Sequence, residues 1–102
     1  MKLAYYSEKK LKKEIKKIIG KYLDLKKYKV FFFGSRVKGD NFPRADIDIG
    51  IDGPRAVPIE IMAEIEDEIS NLSTLYKIDI VDFRNVADDF YEVAKQNVEM
   101  IK

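Results

Sequence analysis

The stretch VFFFGSRVKGDNFPRADIDIGID, residues 30–52, decides the fold. An apolar run, Val30-Phe31-Phe32-Phe33, stops abruptly at Gly34-Ser35. Arg36, Lys38 and a second glycine, Gly39, follow. Loop-forming Asp40-Asn41-Phe42-Pro43 then leads into a strict alternation, Asp46-Ile47-Asp48-Ile49-Gly50-Ile51-Asp52. The apolar run with Lys29 is too short for an independent helix and rich in β-formers, which predicts a strand over 29–33 buried on both faces. The alternation has the period of a strand with one wet face and predicts one over 46–52. Residues two apart on a strand point the same way, with α-carbons roughly 6.5 to 7 Å apart. Asp46 and Asp48 therefore share a face, while Ile47, Ile49 and Ile51 turn to the core.

Upstream, Ser7 suits an N-cap with Glu8 in the first turn. Leu11, Ile15, Ile18, Ile19, Tyr22 and Leu23 recur at helical spacing, with lysines on the other face. Gly20 weakens this helix but need not end it. Downstream, Gly53-Pro54 breaks the second strand, and Pro58 suits the first turn of a helix. Its expected apolar stripe is Ile59, Met62, Ile65, Ile69 and Leu72, and its wet face Glu60, Glu64, Asp67 and Glu68. Residues 71–74 read as a turn and 77–83 as a third strand. A last helix over 86–101 would place Phe90, Val93, Asn97, Val98 and Ile101 near one face. Gly34-Ser35 suits the opening of a short helix. The order helix, strand, short helix, strand, helix, strand, helix predicts a single α+β domain over 1–102. Its core is a small mixed β-sheet with helices packed on one face.

Composition narrows the chemistry. The 102 residues suffice for one core. The hydrophobic fraction is 46% and the charged fraction 36%. Net charge is +1, which names no polyanionic partner. Ten lysines between Glu8 and Lys29 face only Glu8, Glu14 and Asp24, and acids predominate from Glu60 onward. Most simply, those lysines form a solvated helix face. Cysteine and histidine are both absent, which excludes disulfides, thiolate zinc sites and Cys or His catalysis. A bound metal would need oxygen ligands, which favours magnesium or manganese. The lysine-rich start lacks the apolar core of a signal peptide, and no stretch approaches spanning length, so no membrane association is expected and the location is expected to be cytoplasmic.

Aspartates on a strand are unusual, because Asp is a poor strand former and like charges repel. A divalent cation converts that repulsion into coordination, and two metals together can activate an attacking oxygen and clamp phosphate oxygens. The ordinary alternative is an edge strand whose acids meet water. A third acid interrupts Lys77-Ile78-Asp79-Ile80-Val81-Asp82-Phe83, where an unpaired buried carboxylate is costly. Asp79 is one candidate to join Asp46 and Asp48; Asp82 is the rival, and the period of two does not choose between them. At the turn, Gly34 permits close backbone approach, Ser35 offers a hydroxyl, and free N–H groups at a helix start hold phosphate oxygens. Gly34 and Gly39 have the spacing of a Walker P-loop, but Asp40-Asn41 stand where that motif needs Lys and Ser or Thr.

Apolar strand, Gly-Ser, spacer, Asp-x-Asp on a strand and a lone Asp on a later strand form a specific order. In Gly34-Ser35-Arg36-Val37-Lys38-Gly39 and Asp46-Ile47-Asp48 the chain resembles the minimal nucleotidyltransferases of the polymerase β-like nucleotidyltransferase superfamily. The resemblance covers nearly the whole chain. One departure is Ala45, where the family often has Ser before the first Asp. The resemblance implies that Asp46, Asp48 and Asp79 hold metal, with two magnesium ions expected and manganese as an alternative. It implies that Asp79 is a candidate general base, that Gly34 and Ser35 hold the β- and γ-phosphates of ATP, and that Arg36 is an auxiliary contact. The implied reaction transfers AMP from ATP to an acceptor hydroxyl and releases pyrophosphate. The implied partner is a HEPN-type helical protein, often an RNase toxin, with this chain as the antitoxin in a hetero-oligomer.

Three readings follow. The first is a nucleotidyltransferase that modifies its partner. The second is a module of the same fold, weak or inactive as a catalyst, that neutralises a helical partner by contact; the lack of an acceptor-recognition domain favours it. The third is a nucleic-acid binder using the lysine-rich first helix with Tyr5, Tyr6, Tyr22 and Tyr28. The near-zero net charge argues against it.

Overall fold

The structure, a computed structural model, describes residues 6–34, 46–72 and 76–101. Its elements are α1 (Glu8–Gly20), β1 (Lys29–Phe33), β2 (Ile47–Asp52), α2 (Ile59–Ser70), β3 (Ile78–Asp82), α3 (Asp88–Ala94) and β4 (Glu99–Met100). The strands form one sheet in the order β3-β2-β1-β4. β1 runs antiparallel to β2 and β4, whereas β2 and β3 are parallel. A parallel pair needs a crossover, which α2 supplies between β2 and β3. The sheet is mixed, as expected. The short helix expected after Gly34 lies outside the described residues.

Strand alternation divides the core in two. Val30, Phe32, Ile47, Ile49 and Ile51 point to one face, where Leu11, Ile15, Ile18 and Ile19 of α1 and Ile65 and Ile69 of α2 cover them. Phe31, Phe33 and Phe83 cluster on the other face, against Tyr91 and Ala94 of α3. The two long helices thus share one face, and the short α3 lies on the other. Each large side chain so buried contributes roughly 1.5–3 kcal/mol, and the first face holds most of them.

The capping prediction at Ser7 is met: its Oγ accepts the Lys10 N–H at 3.3 Å. Gly20 is the last residue of α1, and Leu25 folds back against it, leaving little room for a side chain there. Lys21 and the Tyr22 hydroxyl both donate to Glu68, tying α1 to α2. Through that hydrogen bond above all, the Tyr22 phenol is pushed up to about 12.

Two expectations are corrected. Ile59 does not belong to the apolar stripe of α2; it is 82% exposed, and Ile61 packs on the core in its place. The last helix is also much shorter than 86–101. It stops at Ala94, and β4 then pairs with the outer edge of β1, with Phe31 opposite Met100 and Phe32 opposite Glu99. The Ile101 N–H continues the ladder to the Val30 carbonyl at 2.8 Å. An uncovered β1 edge would leave its backbone groups unpaired, and that demand outweighs helix periodicity here. Val98 packs with the phenylalanine cluster and Ile101 with the opposite face. Residues three apart share a side of a helix but take opposite sides of a strand. Within α3, Phe90 and Val93 remain largely exposed while Tyr91 and Ala94 turn inward. Among the described residues, no helix is long and apolar enough to cross a membrane.

Candidate active site

The site begins with the alternation in β2. Its isoleucines are drawn into the larger core, so Asp48, Gly50 and Asp52 must take the other face. Asp46 lies just before the strand and is exposed. β3 then sets the register: Asp48 stands directly opposite Asp79, with Ile47 opposite Ile78 and Ile49 opposite Ile80. Partners on adjacent strands are roughly 4.8 Å apart and point the same way. On its other side Asp48 pairs with Phe33, the last residue of β1.

Gly34 comes next along the chain with a φ of 85°, the left-handed region that favours glycine. A side chain there would overlap the Asp48 carboxylate. Glycine is therefore required twice over, by its backbone angle and by the approach of Asp48. The chain turns sharply at the point where that carboxylate sits.

The electrostatics are unfavourable in the absence of a cation. Asp48 is half-buried, and among the described residues its carboxylate has no hydrogen-bond donor and no ion pair. Burial, then the neighbouring Asp79 and Asp46 carboxylates, push its carboxyl above the usual range. Among the described residues Asp79 pairs with Lys77, whose Nζ lies 3.9 Å from Oδ1 at the rim, where solvent makes such a pair weak. Among the described residues no three acids stand close enough to form a complete metal-ligand set. The donors present are nevertheless hard oxygens crowded at one spot, which suits magnesium or manganese and no softer metal.

Asp82, the rival third carboxylate, is on the wrong side. It is buried toward α2, where its Oδ2 accepts the Val57 N–H at 2.7 Å and its Oδ1 the Arg84 N–H at 3.0 Å. Those bonds tie the segment before α2 and the turn after β3 to the end of the strand, which gives Asp82 a structural task. Ser35 and Arg36, the expected phosphate contacts, and Lys38 lie outside the described residues.

Sequence reasoning missed what happens at the far end of β2. Asp52 continues the same face but is enclosed by the Tyr91 hydroxyl at 2.7 Å, Lys95 Nζ at 3.4 Å and Arg84 Nε at 3.7 Å. Its donors come from 32 to 43 residues away along the chain, and no local spacing announces them.

No curated protein matches the sequence. Solved structures do. A chain of a toxin–antitoxin complex crystallised with AMP-PNP is similar with a TM-score of 0.72 at 18% identity, covering 89% of this chain and 72% of that one. A chain from a mutant of the toxin–antitoxin MntA-HpeT gives 0.70 at 14% identity, covering 89% and 71%. A chain from the tri-AMPylated Shewanella oneidensis HEPN toxin in complex with MNT antitoxin gives 0.70 at 18% identity, covering 94% and 72%. At such identities the likeness is one of fold. The family model described as Polymerase beta, Nucleotidyltransferase matches residues 13–102, nearly the whole sequence, and the chain belongs to that nucleotidyltransferase family.

Proposed function

We propose that the protein transfers AMP from ATP to a hydroxyl of a HEPN-type helical partner, with magnesium, and so acts as the antitoxin of a cytoplasmic toxin–antitoxin pair. The observation that carries this reading is the register of β2 and β3, which sets Asp79 beside Asp48, whose carboxylate in turn lies against Gly34. The similar structures support the partner and the nucleotide, since one holds AMP-PNP and another an AMPylated HEPN toxin beside an MNT antitoxin.

In this reading Asp46 and Asp48 hold the cations and Asp79 completes the set. Bound magnesium, two ions or manganese in their place, supplies the charge that neutralises the triphosphate. Gly34 gives the phosphates close access to the backbone, Ser35 donates its hydroxyl to the β- and γ-phosphates, and Arg36 adds a charged fork. Asp79 accepts the proton of the partner's hydroxyl as that oxygen attacks the α-phosphorus. The bond from the α-phosphorus to the oxygen bridging to the β-phosphate breaks, and pyrophosphate leaves. The partner supplies the acceptor surface and forms a hetero-oligomer with this chain.

The test is incubation of the purified chain with labelled ATP, magnesium and the proposed HEPN-type partner. Label on the partner is expected with the wild-type chain and none with Asp48→Asn. Full labelling by Asp46→Asn and Asp48→Asn alike would remove the proposed site. A second reading, neutralisation by contact alone, draws on the incomplete acid cluster noted among the described residues. It predicts that Asp48→Asn still rescues cells from the partner, whereas loss of rescue favours catalysis.

A further inference from the structure

β1 begins and β2 ends side by side, Lys29 standing opposite Asp52. A cleft of about 910 Å³ opens there, walled by Lys27, Tyr28, Lys29, Arg55, Arg84 and Tyr91. That is the size range of small-molecule sites, roughly 300–1,000 Å³. Asp52 is four residues along β2 from Asp48, roughly 13 Å at strand rise, so the cleft is not the carboxylate site.

Its charge is lopsided. Four cations line it against one carboxylate, Asp52. That carboxylate is already neutralised by Arg84, Lys95 and the Tyr91 hydroxyl. Lys27, Lys29 and Arg55 pair with no acid among the described residues. Three unpaired cations around a concavity repel one another, and low-dielectric walls concentrate their field on whatever enters.

The walls are also held in place. Tyr28 lies against Gly53 so closely that a side chain at 53 would overlap its ring, and its hydroxyl donates to the Arg55 carbonyl at 3.3 Å. Arg84 donates its Nε–H to the Gly53 carbonyl, which fixes the guanidinium. Its terminal N–H groups find no acceptor among the described residues. A fixed guanidinium fork suits phosphate oxygens, and flanking ammonium groups add charge.

We propose that this cleft binds a small oligophosphate anion, either free or as the phosphate chain of a nucleotide. An oligophosphate packs several negative charges into a volume that fits the cleft, which a single carboxylate does not. If the source is a nucleotide, the Tyr28 ring gives its base a surface to lie on.

The experiment is an amide-resolved NMR titration of the whole chain at low ionic strength with a chelator present, first with sodium triphosphate and then with ATP. Saturable shifts are expected at Tyr28, Gly53, Arg55 and Arg84. The double variant Lys27→Gln/Arg55→Gln changes only exposed side chains and should keep the fold, with affinity lowered at least about tenfold. Tighter binding of ATP than of triphosphate, with shifts of the Tyr28 ring, identifies a nucleotide; equal binding identifies the phosphate chain alone. Shifts confined to other residues, or the same affinity in the double variant, would overturn the site.

Discussion

Asp48 and Asp52 stand on one strand, on one face of one sheet, yet their surroundings are opposite. Asp52 is 9% exposed and receives a hydroxyl, an ammonium and a guanidinium. Asp48 is half-buried, meets no donor among the described residues, and faces another carboxylate across the ladder. β3 repeats the contrast: Asp82 is buried and hydrogen-bonded, while Asp79 looks toward Asp48. A buried acid is tolerated when the fold supplies its partners. An acid that the fold desolvates and then repels is held for something from outside. Two of these four aspartates are satisfied within the fold, and the other two face each other with their charges uncompensated, Asp79 having only a weak rim contact with Lys77 among the described residues.

The strongest attempt to break this contrast is Asp48→Asn. AMP transfer to the partner should fall by roughly three orders of magnitude, measured as labelled partner per unit time. Thermal stability should be unchanged or higher, because the substitution removes a repulsion. Asp52→Ala should do the reverse and lower stability by about 2–3 kcal/mol in urea titration, since Tyr91 and Lys95 lose their acceptor and Arg84 its counter-charge. Equal stability losses at 48 and 52 would dissolve the distinction.

Much of this was legible from periodicity. The alternation of 46–52 separated the isoleucines from Asp48 and Asp52, which share the opposite face although Asp52 is buried there, and β1 falls on the predicted residues Lys29–Phe33. Those signals are strong because a strand's faces are fixed by steps of two. What failed was non-local. The chain after Ala94 carries apolar residues at helical intervals, but the open edge of β1 takes Glu99 and Met100 as a strand. That Asp79 rather than Asp82 stands beside Asp48 needed the β2–β3 register, which no single strand contains. The donors around Asp52 are gathered by tertiary folding alone. The phosphate turn at Ser35 and Arg36 remains an expectation from the sequence and its resemblance.

Gly34→Ala probes the contrast with a smaller step. The φ of 85° and the adjacent Asp48 carboxylate both resist a methyl group, so a stability loss of about 1–2 kcal/mol is expected in denaturant titration. Transfer activity should drop with it, because the displaced carboxylate is the one proposed to hold the cation. Gly53→Ala provides the comparison at the other end of β2: it should disturb Tyr28 and the cleft but leave AMP transfer intact.

The smallest effect lies in the pH dependence of stability. Folding raises the Asp48 carboxyl, through burial first and then Asp79 and Asp46. A carboxyl raised in this way holds its proton more firmly in the folded chain than in the unfolded one. Its contribution to stability is therefore complete below the ordinary value of 3.8 and is lost as pH climbs through the raised folded value. Asparagine does not ionise, so Asp48→Asn should gain on the wild type across that window and keep its advantage at neutral pH. The side chain is half-exposed and screened by solvent, which holds the gain below about 1 kcal/mol. Millimolar magnesium should narrow the gap by stabilising the wild type alone, because a ligand that binds only the folded chain adds to its stability. Stability curves that run parallel from acid to neutral pH, with or without magnesium, would mean that Asp48 does not feel Asp79, and the two ends of β2 would then differ in burial but not in purpose.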